Sequence, residues 1–240
     1  MEDLTVEQNR RWLANFFKAK VAEYSYHLKQ IIDGCDESLQ IFKNQQPQPE
    51  GLGRRVIYAF GSLSNALQTL KDSSETFLSP NITWGDVRKL RHGSFFYLSR
   101  NAATHDGNPV ISAWVDGKFH VPQDIKRFHD GKVISIPAPS EDAKTFCLEF
   151  SADLSEFLIG RLESIDVAMR DLGPMYDASE IALMMQSQIV PEFAKKLVNA
   201  QLDNIRAMLA NVRVDPIGGA LDELRKLANY CQSASKTNQN

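Results

Sequence analysis

Arg100, Asn101, His105 and Asp106 fall within seven consecutive residues, the densest usable chemistry in this 240-residue chain. An arginine offers a rigid fork of donors matched to phosphate oxygens. A histidine carries a proton at physiological pH, and an asparagine beside them orients either one. Arg100, Asn101 and His105 are therefore the candidate catalytic set. Asn101 and His105 are four apart and share a helix face, whereas Arg100 and His105, five apart, sit about 140° apart around the axis. These two converge only if the helix ends near Ala103-Thr104 or if two chains bring them together. Asp106-Gly107-Asn108-Pro109 reads as a helix stop, and the free carbonyls of a helix end favour protonated His105. Asp106 is a candidate orienter of His105 and a weaker phosphate-side contact. Upstream, Arg88, Lys89, Arg91 and His92 form a basic cluster able to attract phosphate or RNA. Each feature also has a plain structural reading. Arg100 pairs with a carboxylate or covers Phe96 with its stem, and His105 bonds helix carbonyls. Asp106-Gly107 is then a turn and the basic cluster a solvated face.

The run Arg100-Asn101-Ala102-Ala103-Thr104-His105 resembles the R-x(4–6)-H motif of the HEPN domain superfamily, with a polar residue after the arginine as that family prefers. The resemblance covers about residues 1–170. It implies an α-helical bundle, a homodimer, and either metal-independent RNA cleavage or nucleotide binding with no cofactor. Arg100 would then hold the scissile phosphate, His105 would act as general acid or base, and Asn101 would orient one of them. The rival reading is a non-catalytic interaction or regulatory module that binds a protein partner.

The elements that must position these residues are mostly helical. Thr5-x-x-Gln8 is a capping box, followed by an apolar stripe from Leu13 to Phe42 at helical spacing, with an interruption expected at Asp33-Gly34. A second helix is expected over 54–72, and a third from Thr83 through the candidate residues. Past Pro109 the period changes to two. Asp116-Gly117 and Asp130-Gly131 mark turns of a three- or four-stranded antiparallel meander over 110–137. A fourth helix follows Asp142. A fifth runs over 178–212 with a restart at Pro191, and Asp215-Pro216 opens a last one. The expected class is mainly α, a helical bundle with a small antiparallel β-meander insertion. The bundle occupies 1–175, helices of 176–232 complete it or form an arm, and 233–240 are a disordered tail.

A formal charge of −3 with 24% charged residues carries no chain-wide basic footprint. No apolar run approaches the roughly 20 residues of a membrane span, and no signal peptide opens the chain, so a cytoplasmic protein is expected. Cys35, Cys147 and Cys231 make no CxxC pair and read as buried thiols of a reducing compartment. His92, His120 and His129 with Asp130 stand at no recognised metal-ligand spacing, so no metal is expected. Trp84, Phe95, Phe96 and Tyr97 read as core or interface, with base stacking as the alternative.

Overall fold

Helix α1 (Val6–Lys43) is the longest element, 38 residues from the Thr5 capping box without a break. Phe17, Val21, Tyr24, Leu28 and Ile31 along its stripe are fully buried. Asp33-Gly34 does not interrupt it. A side chain at Gly34 would meet Val56 Cγ2 at 2.7 Å, so this glycine lets α1 approach α2 (Leu52–Ser74). The computed structural model describes residues 5–75, 77–105, 109–129 and 131–236.

The expected third helix is two. Helix α3 (Trp84–Val87) is one turn capped by Thr83, and α4 (Gly93–His105) starts after a turn in which His92 has φ 59°. The break has a local cause. A Cβ on Gly93 would collide with the Val87 carbonyl, so only glycine lets α4 begin where α3 ends. Apolar periodicity ran through the junction and hid it.

Strands β1 (Ala113–Val115) and β2 (Lys118–His120) form one antiparallel hairpin, and β3 (Ile125–His129) and β4 (Lys132–Ile136) another. They make two separate two-stranded sheets instead of one meander. Between them runs Val121-Pro122-Gln123-Asp124, where Pro122 has no N–H for a ladder and Asp124 turns away, accepting a hydrogen bond from Ala138 N at 3.1 Å. Asp116 and Gly117, both at positive φ, close the first hairpin as its sequence predicts. That hairpin is held on α1: Phe119 is buried and Trp114 Nε1 donates to Ser38 Oγ at 2.8 Å.

Helix α5 (Ala143–Glu163) is capped by Asp142, and a 3-10 turn at Val167–Met169 follows it. Helices α6 (Ala178–Met184), α7 (Glu192–Ala200) and α8 (Leu202–Leu209) replace the single fifth helix, with the restart at Pro191 and a second break at Gln201. These three helices form an arm in which only Ala178 is buried. The arm is pinched at its base, where Leu172 N donates to Val214 O and Arg213 pairs with Asp171 at 2.7 Å. Helix α9 (Pro216–Lys236) returns to pack on α1 and α5. Ser233–Lys236 belong to it, not to a tail; 237–240 lie outside the described residues. The core is thus a mainly α bundle of α1, α2, α4, α5 and α9. Among the described residues no helix is long and apolar enough to cross a membrane.

Candidate functional site

Helix α4 is seated by its aromatic face. Phe96 is fully buried and stacked on Phe150 of α5, ring centroids 3.9 Å apart and 15° from parallel. Phe95 packs edge-on against Phe146 at 5.4 Å. Tyr97 and Arg100, both partly exposed, border that face on the side next to α3. There Trp84 and Tyr97 lie 5.1 Å apart at 46°. The Arg88 guanidinium sits 5.5 Å over Tyr97 and that of Arg100 5.2 Å over Trp84. The result is a ladder of cation, ring, ring, cation, with Arg88 exposed and the other three partly buried.

The Arg100 guanidinium lies over Trp84. Its Nε and Nη2 both donate to Asn101 Oδ1, at 3.2 and 2.6 Å, so Asn101 fixes the guanidinium plane. Among the described residues no carboxylate pairs with Arg100 or Arg88. Two guanidinium groups flanking two aromatic faces, with their charge left open, suit an anionic ligand that carries a planar group.

Helix α4 continues through His105. The positions of Arg100 and His105 therefore stay about 140° apart around one axis, and the early helix end that would let them meet within one chain does not occur. The His105 side chain and all of Asp106 lie outside the described residues.

The upstream basic residues divide. Arg88 belongs to the ladder. Lys89 turns back to Asp86 at 3.3 Å; the Thr83 hydroxyl and amide, and then Lys89, hold the Asp86 carboxyl below the usual carboxylate range. Arg91 and His92 face the acids of α5. Arg91 Nη1 is 3.0 Å from Glu149 Oε1, Arg91 Nη2 is 3.3 Å from Asp153, and His92 Nε2 is 2.8 Å from Glu149 Oε2. Of the four basic residues, Arg88 alone has no ion-pair partner among the described residues.

Sequence reasoning missed the partners Glu141, Glu149 and Asp153. Glu149 and Asp153 are one turn apart on α5, a spacing readable in the sequence. Their target lies some sixty residues upstream, beyond any local pattern. The cysteines are structural: burial pushes the thiols of Cys35 and Cys231 up to about 12 and that of Cys147 well above its ordinary value, which removes nucleophilic character. No family model, no curated protein and no solved structure matches the chain.

Proposed function

We propose that the α3–α4 segment is a nucleic-acid site that binds single-stranded RNA or a nucleotide, and that two copies of the chain together cleave RNA there, as the HEPN resemblance implies. The observation that carries this reading is the Arg88–Tyr97–Trp84–Arg100 ladder, in which no carboxylate among the described residues pairs with either arginine. Rings accept bases by stacking without regard to sequence, and the guanidinium groups take the phosphates. Cleavage follows the metal-independent route. The ribose 2′-hydroxyl attacks phosphorus and gives its proton to a neutral imidazole, and the bond to the 5′-oxygen breaks as that oxygen takes a proton. A 2′,3′-cyclic phosphate and a 5′-hydroxyl remain. Arg100, oriented by Asn101, stabilises the charge that builds on the phosphoryl oxygens, and His105 moves the protons. The 140° offset along an unbroken α4 supports a composite site, with Arg100 from one copy and His105 from the other. Three buried free cysteines support a reducing, cytoplasmic setting.

The test is incubation of the purified protein, in EDTA, with end-labelled RNAs of varied sequence. Cyclic-phosphate products are expected, and Arg100→Ala or His105→Ala should abolish them with the circular dichroism spectrum unchanged. RNA left intact across all substrates would remove the catalytic half of the proposal and leave binding.

A second reading, a helical interaction module, draws on the arm. Ile189, Phe193 and Leu197 are 90%, 75% and 65% exposed, an apolar display suited to a protein partner.

A further inference from the structure

We propose that His92, Glu141 and Glu149 form a binding site for a divalent first-row transition cation, Zn²⁺ or Mn²⁺, separate from the RNA site. Each residue offers one ligand atom, and these atoms lie within 4.8 Å of one another on partly buried side chains. They come from three places in the fold: the α3–α4 turn, the approach to α5, and the second turn of α5. Glu149 is already oriented for the task. Its Oε1 is held by Arg91 at 3.0 Å, leaving Oε2 directed at His92, 2.8 Å away. Bound at about 2.1 Å from one tetrahedral ion, these two atoms would lie about 3.4 Å apart, so they need to separate by about 0.6 Å while Glu141 closes inward. The imidazole then places its Nε2 lone pair on the cation and its proton on Nδ1.

Charge favours the same conclusion. Glu141, Glu149 and Asp153 bring three negative charges, Arg91 brings one positive, and a neutral His92 adds none. The cluster is left at −2, which a divalent ion neutralises. One nitrogen and two carboxylate oxygens, with no thiolate, suit Zn²⁺ or Mn²⁺ better than Mg²⁺, which keeps to oxygen, or Cu⁺, which prefers sulfur. Three protein ligands leave a coordination position for water. A cavity of about 250 Å³ lined by His92, Ser94, Phe95, Leu98 and Pro137–Pro139 adjoins the histidine, so a small ligand can reach the ion's side of the fold.

The full-length protein, stripped with EDTA and dialysed, is titrated with ZnCl₂ by calorimetry and with CoCl₂ by visible absorption. One equivalent per chain is expected, with a cobalt spectrum free of thiolate charge transfer. His92→Asn, which keeps a side chain tolerant of positive φ, and Glu141→Gln should each weaken uptake at least tenfold. His105→Ala and MgCl₂ serve as controls, the variant unchanged and the magnesium silent. Three results would overturn the site: no stoichiometric uptake, uptake unaffected by both variants, or a thiolate band that moves the ion to cysteine. If His92→Asn does not fold, Glu141→Gln carries the decision alone. RNA binding and cleavage are measured in EDTA, so failure at one site does not mimic failure at the other.

Discussion

Replacing Trp84 separates stacking from charge at the ladder. Trp84 lies between Tyr97, 5.1 Å away, and the Arg100 guanidinium, 5.2 Å from its ring. Trp84→Leu keeps an apolar body against the core while removing the flat face; Trp84→Phe keeps a smaller face. Loss of one base–aromatic stack costs about 1–3 kcal/mol, which is about 5- to 150-fold in affinity. Two open arginines meeting two phosphates of a single strand give a slope of log K against log salt near about −1.4, and removing one leaves about −0.7. Fluorescence anisotropy of a labelled oligouridylate at several salt concentrations reads both quantities. Trp84→Leu should lower affinity with the slope intact, Trp84→Phe should retain most of it, and Arg100→Ala should halve the slope. Equal affinity for Trp84→Leu and the wild type, or an unchanged slope in Arg100→Ala, would show that the ladder only packs α3 on α4.

Two further expectations concern the scaffold. Cys35, Cys147 and Cys231 are neutral thiols with raised pKa in the fold, against ordinary values of 9.0. The unfolded chain thus sheds protons first, so their contribution is complete below pH 9 and is lost as pH rises towards about 12. At pH 10 the loss is about 1 kcal/mol each for Cys35 and Cys231, and Cys147 adds to it in the same direction; a urea midpoint that does not move between pH 8 and pH 10 would contradict it. Gly93→Ala forces a methyl into the Val87 carbonyl and should cost about 3 kcal/mol or more. Gly160→Ala, mid-helix in α5 with open space around the new methyl, should stabilise by about 0.5–1 kcal/mol. Thermal denaturation of the pair checks both, and a tolerated alanine at 93 would refute the close-approach explanation of the α3–α4 break.

Local chemistry carried most of the architecture. The Thr5 capping box, the Asp116-Gly117 turn, the restart at Pro191 and the Asp215-Pro216 helix start are short-range signals, and each stands where its residues put it. Two of the failures share one cause. Asp33-Gly34 and Gly93 are both glycines whose meaning depends on what packs against them. The first admits a neighbouring helix without breaking its own, and the second breaks a helix that periodicity joined. The two hairpins remained separate because Pro122 has no N–H for a ladder and Asp124 bonds outside it, to Ala138 N. For the site, Arg100, Asn101 and Arg88 were visible as residue types, and the tryptophan and tyrosine between them were noted without their order. Glu149 and Asp153 were invisible as partners because pairing across some sixty residues is fixed by how α4 packs on α5.

The composite character of the RNA site is tested most directly by mixing two inactive proteins. Arg100→Ala and His105→Ala are purified separately, combined, and allowed to exchange subunits before the cleavage assay. In a mixed dimer one site unites the intact Arg100 of one chain with the intact His105 of the other, and its symmetry mate has neither. Random exchange should therefore restore about one quarter of the wild-type rate, from proteins that are each inactive alone. A mixture as inactive as its components, with exchange verified by differently tagged chains, would contradict a site shared between two copies.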